Sequence, residues 1–201
     1  MRSRAGLRFL ATALLIAAAR ALDAWTTWMA TPDLRLEQNP LERLLHVGWG
    51  GLLLLNAAVV ALLVVAAWRA AFTPPSLPRE PALDLPAFVA RYWFSSVERR
   101  SIAHAALWLP ADRRVRWAFI GGPGVALVIV ASVVVATWNL LVARRVVISA
   151  AAGRFWLIGF WAAVLLGLFI AVRVFLLRAY ARYLRQPNQP DSARSVRAAL
   201  S

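Results

Sequence analysis

Four long apolar runs separated by arginine-bearing connections leave this chain few folds to adopt. A bilayer core of ~30 Å is crossed by about 20 helical residues. Inside hydrocarbon the backbone must satisfy its own hydrogen bonds, which a helix does within one segment. The runs cover about residues 8–30, 44–68, 117–143 and 155–177. The expected fold class is therefore an all-α integral membrane protein with four transmembrane helices. The second run carries Leu52 to Leu55 and the stretch Val59 to Ala67, with Asn56 as its only strongly polar interior residue. The third opens on Gly121-Gly122-Pro123-Gly124, which predicts a distorted first turn ahead of a valine-rich body.

The first run admits a rival reading. Arg2 and Arg4, the apolar stretch Phe9 to Ala18 and Ala19-Arg20-Ala21 have the layout of a cleaved signal peptide. Against cleavage, the helical pattern continues through Trp25, Thr26, Thr27 and Trp28 to Ala30. Retention as the first span is the expectation.

Spans two and three are separated by 48 residues, 69–116. Thr73-Pro74-Pro75-Ser76-Leu77-Pro78 is too rich in proline to be helical. Asp84-Leu85-Pro86 then reads as a helix start, and residues 86–109 as an amphipathic helix or helical hairpin. Phe88 with Tyr92, and Val89 with Trp93 and Val97, fall at i, i+4 spacing, while Arg91, Glu98, Arg99 and Arg100 are polar. The segment is expected either at the membrane interface or as a small cytosolic cap. Residues 186–201 read as a flexible tail.

Charge sets the orientation. All 23 basic residues are arginine, against 9 acidic ones, for a net charge of +14. Sixteen arginines lie in the amino terminus, the long connection and the tail, and five in the other two connections. The positive-inside rule then puts both termini in the cytoplasm of a prokaryotic inner (plasma) membrane. Because the arginines flank apolar runs, the expected contacts are anionic lipid headgroups and not nucleic acid. Arg144 and Arg145 run against the trend. Lysine is absent, which removes Schiff-base and P-loop chemistry. Cysteine is absent too, which removes disulfides and thiolate catalysis. No cofactor is expected, and no metal site is assigned. Trp68, Trp117 and Trp156 near span ends read as interfacial anchors.

Asp23 is the most informative single residue, because a carboxylate in a span is costly unless it is paired or faces a polar interior. Arg20, Asp23, Thr26 and Thr27 share one helical face with Ile16, Ala19 and Ala30, while Trp25 and Trp28 point the other way. Glu42, His46, Trp49, Leu53 and Asn56 form a matching stripe on the second helix. Asp23 sits ~10 Å inside the outer end of helix one, at ~1.5 Å per residue, within reach of His46. Asp23, Glu37 and His46 are the candidates for acid–base or cation chemistry. The bland alternative is an internal Arg20–Asp23 pair that only packs the helix. In the fourth run Gly159, Ala163, Gly167 and Ala171 repeat a small residue every fourth position, a helix-packing pattern. Gly124, Ser132 and Ala136 give a weaker version, and Thr137 and Asn139 are expected to meet water or loops.

The segment Asp23-Ala24-Trp25-Thr26-Thr27, followed by Glu37-Gln38-Asn39-Pro40 and Gly48-Trp49, resembles a group of uncharacterised prokaryotic membrane proteins. Their mark is an Asp-x-x-Thr-Thr helix end, a short loop and Glu-x-Asn-Pro before the next helix. The resemblance covers about residues 10–65. It implies that helix one is retained and that Asp23, Thr26, Thr27, Glu37, Asn39 and Pro40 form one feature. It implies no reaction.

With no nucleophile–base pair or cofactor motif in view, the expected function is a structural, assembly or accessory subunit, alone or as a homo-oligomer. Two alternatives place activity at the polar residues. One is an intramembrane enzyme acting on a lipid or lipid-linked substrate through Asp23 and Glu37. The other is a small ion or proton-coupled transporter using Asp23.

Overall fold

Helix-stopping residues and side-chain caps set the limits of the helices, and two of the spans continue past their apolar runs. The structure, a computed structural model, describes residues 2–34, 48–145 and 150–186. Helix α1 spans Arg2–Ala30, and α2 spans Gly48–Phe72. Two short helices follow, α3 (Leu85–Phe94) and α4 (Ile102–Leu107). Then α5 (Arg113–Phe119), a π turn (Ile120–Gly124) and α6 (Val125–Ala143) run on as one rod. Helix α7, Ala150–Tyr183, is the longest.

Four stretches are long and apolar enough to cross a membrane: Arg4–Ala30, Gly48–Phe72, Arg113–Ala143 and Gly153–Tyr183. The chain is an all-α, multi-pass membrane protein. The first span has the lowest mean hydropathy, 1.6 against 2.5 for the others, because Arg8 and Arg20 interrupt its apolar run.

Two of the spans start or end well beyond the apolar runs. Helix α7 has 34 residues, or ~51 Å at 1.5 Å per residue, about two-thirds longer than a ~30 Å core. Its surplus carboxy-terminal turns are covered by residues 77–120. Phe88, Val89, Trp93, Leu176, Ala179 and Tyr183 are buried together with Val115 and Phe119 of α5. Phe88 lies 5.1–5.2 Å from the rings of Tyr92, Tyr180 and Tyr183, and Trp93 meets Phe119 edge-on at 5.2 Å. Burying each such ring contributes on the order of 2–3 kcal/mol.

Instead of one amphipathic helix over 86–109, the cap is a helical hairpin. Asp84 caps α3 by accepting from the Ala87 amide, with Pro86 in the first turn. The helix stops at Ser95, which takes a left-handed conformation (φ 53°) and donates its amide to the Ala90 carbonyl. Helix α4 starts at its own cap, Ser101. Consecutive residues Phe88, Val89 and Ala90 are all fully buried, so α3 has no wide polar face to turn toward headgroups or water. It is the core of a cap packed on the last turns of α7. The cap is bolted to α7 by Tyr183, whose hydroxyl donates to the Glu80 carbonyl (2.6 Å) and accepts from the Leu83 amide (2.8 Å). On the cap's flank Arg91 pairs with Glu80 at 3.3 Å, and Arg99 with Asp84.

Within the membrane α1 packs on α6 and α2, around Ile16, Leu63, Ala67 and Val125. Helix α2 also crosses the π turn, where backbones come into direct contact. A Cβ at Gly121 would overlap the Ala66 carbonyl and lie 2.8 Å from the Ala67 nitrogen. By contrast, α7 touches α6 and the π turn only lightly, and the cap is its main attachment.

Two expectations follow. Gly121→Ala forces α2 away from the π turn and lowers stability by about 1–3 kcal/mol, the ordinary range for overpacking, readable as a lower thermal midpoint in detergent. Conservative changes at two cap tyrosines separate in sign. Tyr183→Phe strands the Glu80 carbonyl and Leu83 amide and costs about 1–3 kcal/mol. The buried Tyr92 hydroxyl has no hydrogen-bond partner among the described residues, so Tyr92→Phe is neutral or stabilising. Burial, reinforced by Asp112 and opposed by Arg182, pushes Tyr92 from its ordinary 10.0 up to about 12. The folded state therefore holds the neutral phenol while the unfolded chain ionises, so stability is lost as pH rises from 10 to 12. Tyr92→Phe should remove that part of the alkaline loss, measured as midpoint against pH.

Candidate functional site

Arg20 is the centre of the polar interior. Its Nη1 donates to Asp23 Oδ2 at 2.7 Å and to Ser132 Oγ at 3.2 Å, and its Nε donates to Asn56 Oδ1 at 2.7 Å. The Asn56 amide in turn approaches the Arg20 carbonyl at 3.5 Å. One guanidinium thus ties α1, α2 and α6 together. Ser132 is almost fully buried, and the Arg20 and Asp23 side chains retain 24% and 15% exposure. At that burial the pair is shielded from most solvent screening.

One helical turn outward, Thr26 is completely buried and bonds its own backbone, donating to the Leu22 and Asp23 carbonyls at 2.9 and 3.0 Å. Thr27 does something else. Its hydroxyl accepts from Asn139 Nδ2 at 3.0 Å. The Arg20–Ser132 and Thr27–Asn139 bonds both join residues 112 apart in sequence. Residues seven apart share a helix face, so the two bonds lock the parallel helices α1 and α6 in a single register. Trp25 and Trp28 are 54% and 55% exposed on the opposite face.

The structure thus brings Arg20, Asp23 and Asn56 into one network, with Thr26 and Thr27 just beyond it. Glu37, Asn39, Pro40, Glu42 and His46 lie outside the described residues. Of the second-helix stripe, Asn56 faces Arg20, Trp49 donates its indole N–H to the Pro32 carbonyl at 2.7 Å, and Leu53 is 52% exposed. Among the described residues no group of three or more His, Asp or Glu side chains could hold a metal. In α7, Gly167 meets Leu127 of α6, where an added Cβ would lie 2.9 Å from a methyl group. Gly159 has open space around it, Ala163 is exposed and Ala171 is half-buried beside the cap core.

Ser132 and Asn139 are the members that sequence patterning assigned elsewhere, Ser132 to small-residue packing and Asn139 to water or loops. Thr137 likewise turns to its own helix, donating to the Val133 carbonyl at 2.9 Å. A signal was present. Arg20 and Thr27 are seven apart, and so are Ser132 and Asn139. Two polar pairs with matching heptad spacing on two spans are what a shared seam requires.

No protein-family model, curated protein or solved structure matches this chain.

Chemically the network neutralises a cation and fixes helix positions. Individual hydrogen bonds between membrane helices contribute about 0.6–2 kcal/mol, whereas an unpaired charge at span depth costs about 2.5–3.5 kcal/mol or more. The ranking of variants follows. Asp23→Asn should cost about 2–4 kcal/mol, and Asn56→Leu or Ser132→Ala less than about 2 kcal/mol each. Replacing both charges, as Arg20→Met with Asp23→Leu, should recover much of the loss. A double-mutant cycle on detergent-unfolding midpoints checks this, and additive single losses would contradict it.

Proposed function

We propose that this chain is a structural, assembly or accessory subunit of the prokaryotic inner membrane, with both termini and the cap in the cytoplasm. The observation that carries the reading is the Arg20 tie. Arg20, Asp23, Asn56 and Ser132 are engaged with one another across three helices, an arrangement suited to holding a shape. A pump or intramembrane enzyme would instead use its buried carboxylate on an ion or substrate. Two further features support it. The outer half of α7 turns Gly159 and Ala163 away from the rest of the chain, the small-residue surface that a second helix can approach closely. The arginine bias orients the molecule. The resemblance around Asp23, Thr26, Thr27, Glu37, Asn39 and Pro40 belongs to the same proposal, as the mark of a shared helix-one feature.

Absence of native cysteine makes the test direct. Ala163→Cys should form an intermolecular disulfide on oxidation in native membranes, or should capture a specific protein with a membrane-permeant crosslinker. A control at exposed Leu54 of α2, Leu54→Cys, should do neither. A detergent-solubilised monomer with no partner captured at either position would overturn the subunit reading. Orientation is read separately. A carboxy-terminal fluorescent fusion should be bright and an alkaline phosphatase fusion inactive.

A further inference from the structure

At the end of α2 where the cap begins, a cavity of about 240 Å³ is lined by Arg69, Thr73, Arg113, Arg114 and Trp117. Its walls hold three guanidinium groups and no carboxylate. Asp112, next to Arg113 in the chain, is occupied by the Arg114 and Val115 amides, and the cap acids Glu80, Asp84 and Glu98 pair with Arg91, Arg99 and Arg100. None of the three lining arginines forms a salt bridge among the described residues. Only the Arg69 guanidinium has a neighbour of note, the Trp68 ring 5.2 Å away. The wall residue Trp117 also keeps a buried indole N–H with no acceptor among the described residues. Three like charges around one cavity repel unless an anion joins them.

We propose that this cavity binds a phosphate ester, and that its source is the headgroup of an anionic phospholipid. Guanidinium forks match phosphate oxygens in pairs, so three of them outmatch any single neutral donor set. The position selects a lipid. Arg69 closes the last turn of one membrane span and Arg113 and Arg114 open the next, which puts the cavity at headgroup depth. Trp68 and Phe72, next in the chain to the lining residues Arg69 and Thr73 and 46% and 42% exposed, offer apolar surface for the glycerol backbone and acyl chains. The inference needs only that these two spans cross the bilayer, and it stands apart from the subunit reading.

The test is native mass spectrometry of the full chain in detergent, titrated with phosphatidylglycerol or with phosphatidylcholine. Wild type should retain phosphatidylglycerol in preference to phosphatidylcholine. Arg113→Gln with Arg114→Gln should weaken that retention at least tenfold, and adding Arg69→Gln should weaken it further. Arg113 and Arg114 are exposed, so the double variant should keep the wild-type thermal midpoint. The charge-matched control Arg144→Gln with Arg145→Gln, at the far ends of the spans, should bind as wild type does. Equal retention by the cavity variant and wild type, or equal binding of the two lipids, would overturn the proposal. Stabilisation by inorganic phosphate that the cavity variant loses, with no lipid preference, would keep a phosphate site and overturn its lipid source.

Discussion

A guanidinium within an apolar helix has to be neutralised and hydrogen-bonded where it sits, and at Arg20 that requirement decides which helices meet. Asp23 on the same helix supplies the counter-charge. It leaves the remaining donors to find acceptors on other helices, and Asn56 and Ser132 are those acceptors. Apolar packing alone would specify this bundle weakly. Helices α2 and α6 are leucine- and valine-rich nearly all round, and lipid is as good a neighbour as protein for such surfaces. The polar contacts supply the missing specificity. With Arg20 on Ser132 and Thr27 on Asn139, sliding α1 by one turn along α6 would break both bonds and strand a charge. The close crossing at Gly121 adds a second constraint, because only a residue without Cβ lets α2 pass over the π turn.

Helix α7 is held by a different logic. Among the described residues its side chains make no hydrogen bond to α1, α2 or α6, and its main attachment is at its carboxy-terminal end, where α3 and α4 wrap its last turns. That attachment is aromatic and soluble-like: rings packed at 5–6 Å, polar tips satisfied by backbone, ion pairs at the rim. The molecule therefore uses polar bonds for cohesion among α1, α2 and α6 and aromatic burial for cohesion between α7 and the cap.

This division also explains what was legible in the sequence. Span number and approximate limits followed from hydrophobic length, and the Arg20, Asp23, Thr26, Thr27 face followed from helical periodicity. The extra turns of α5 and α7 did not, since arginines such as Arg116 and Arg178 read as the end of a span and also occur in a helix that continues past its apolar run. The cap was ambiguous for a similar reason. Spacing of Phe88, Val89, Tyr92 and Trp93 announces a buried helix without naming what buries it, and the answer, Tyr180 and Tyr183, lies nearly a hundred residues away. Ser132 and Asn139 were visible as polar residues, yet their partners became evident only once α1 and α6 lay side by side.

Attachment at its ends gives α7 a surface unlike those of the other spans. The cap fixes the carboxy-terminal end, Gly167 rests on Leu127 midway, and Trp156 stacks on Trp138 of α6 at 4.8 Å near the other end. Between Trp156 and Gly167, Gly159 and Ala163 face outward. A lipid-facing stretch gains nothing from small residues, because acyl chains mould equally well around large ones. Small residues matter where a backbone must come close, as Gly121 does inside this same chain. By that comparison the Gly159 and Ala163 face of α7 leaves room for another backbone to come close, which is the surface that the proposed subunit role requires.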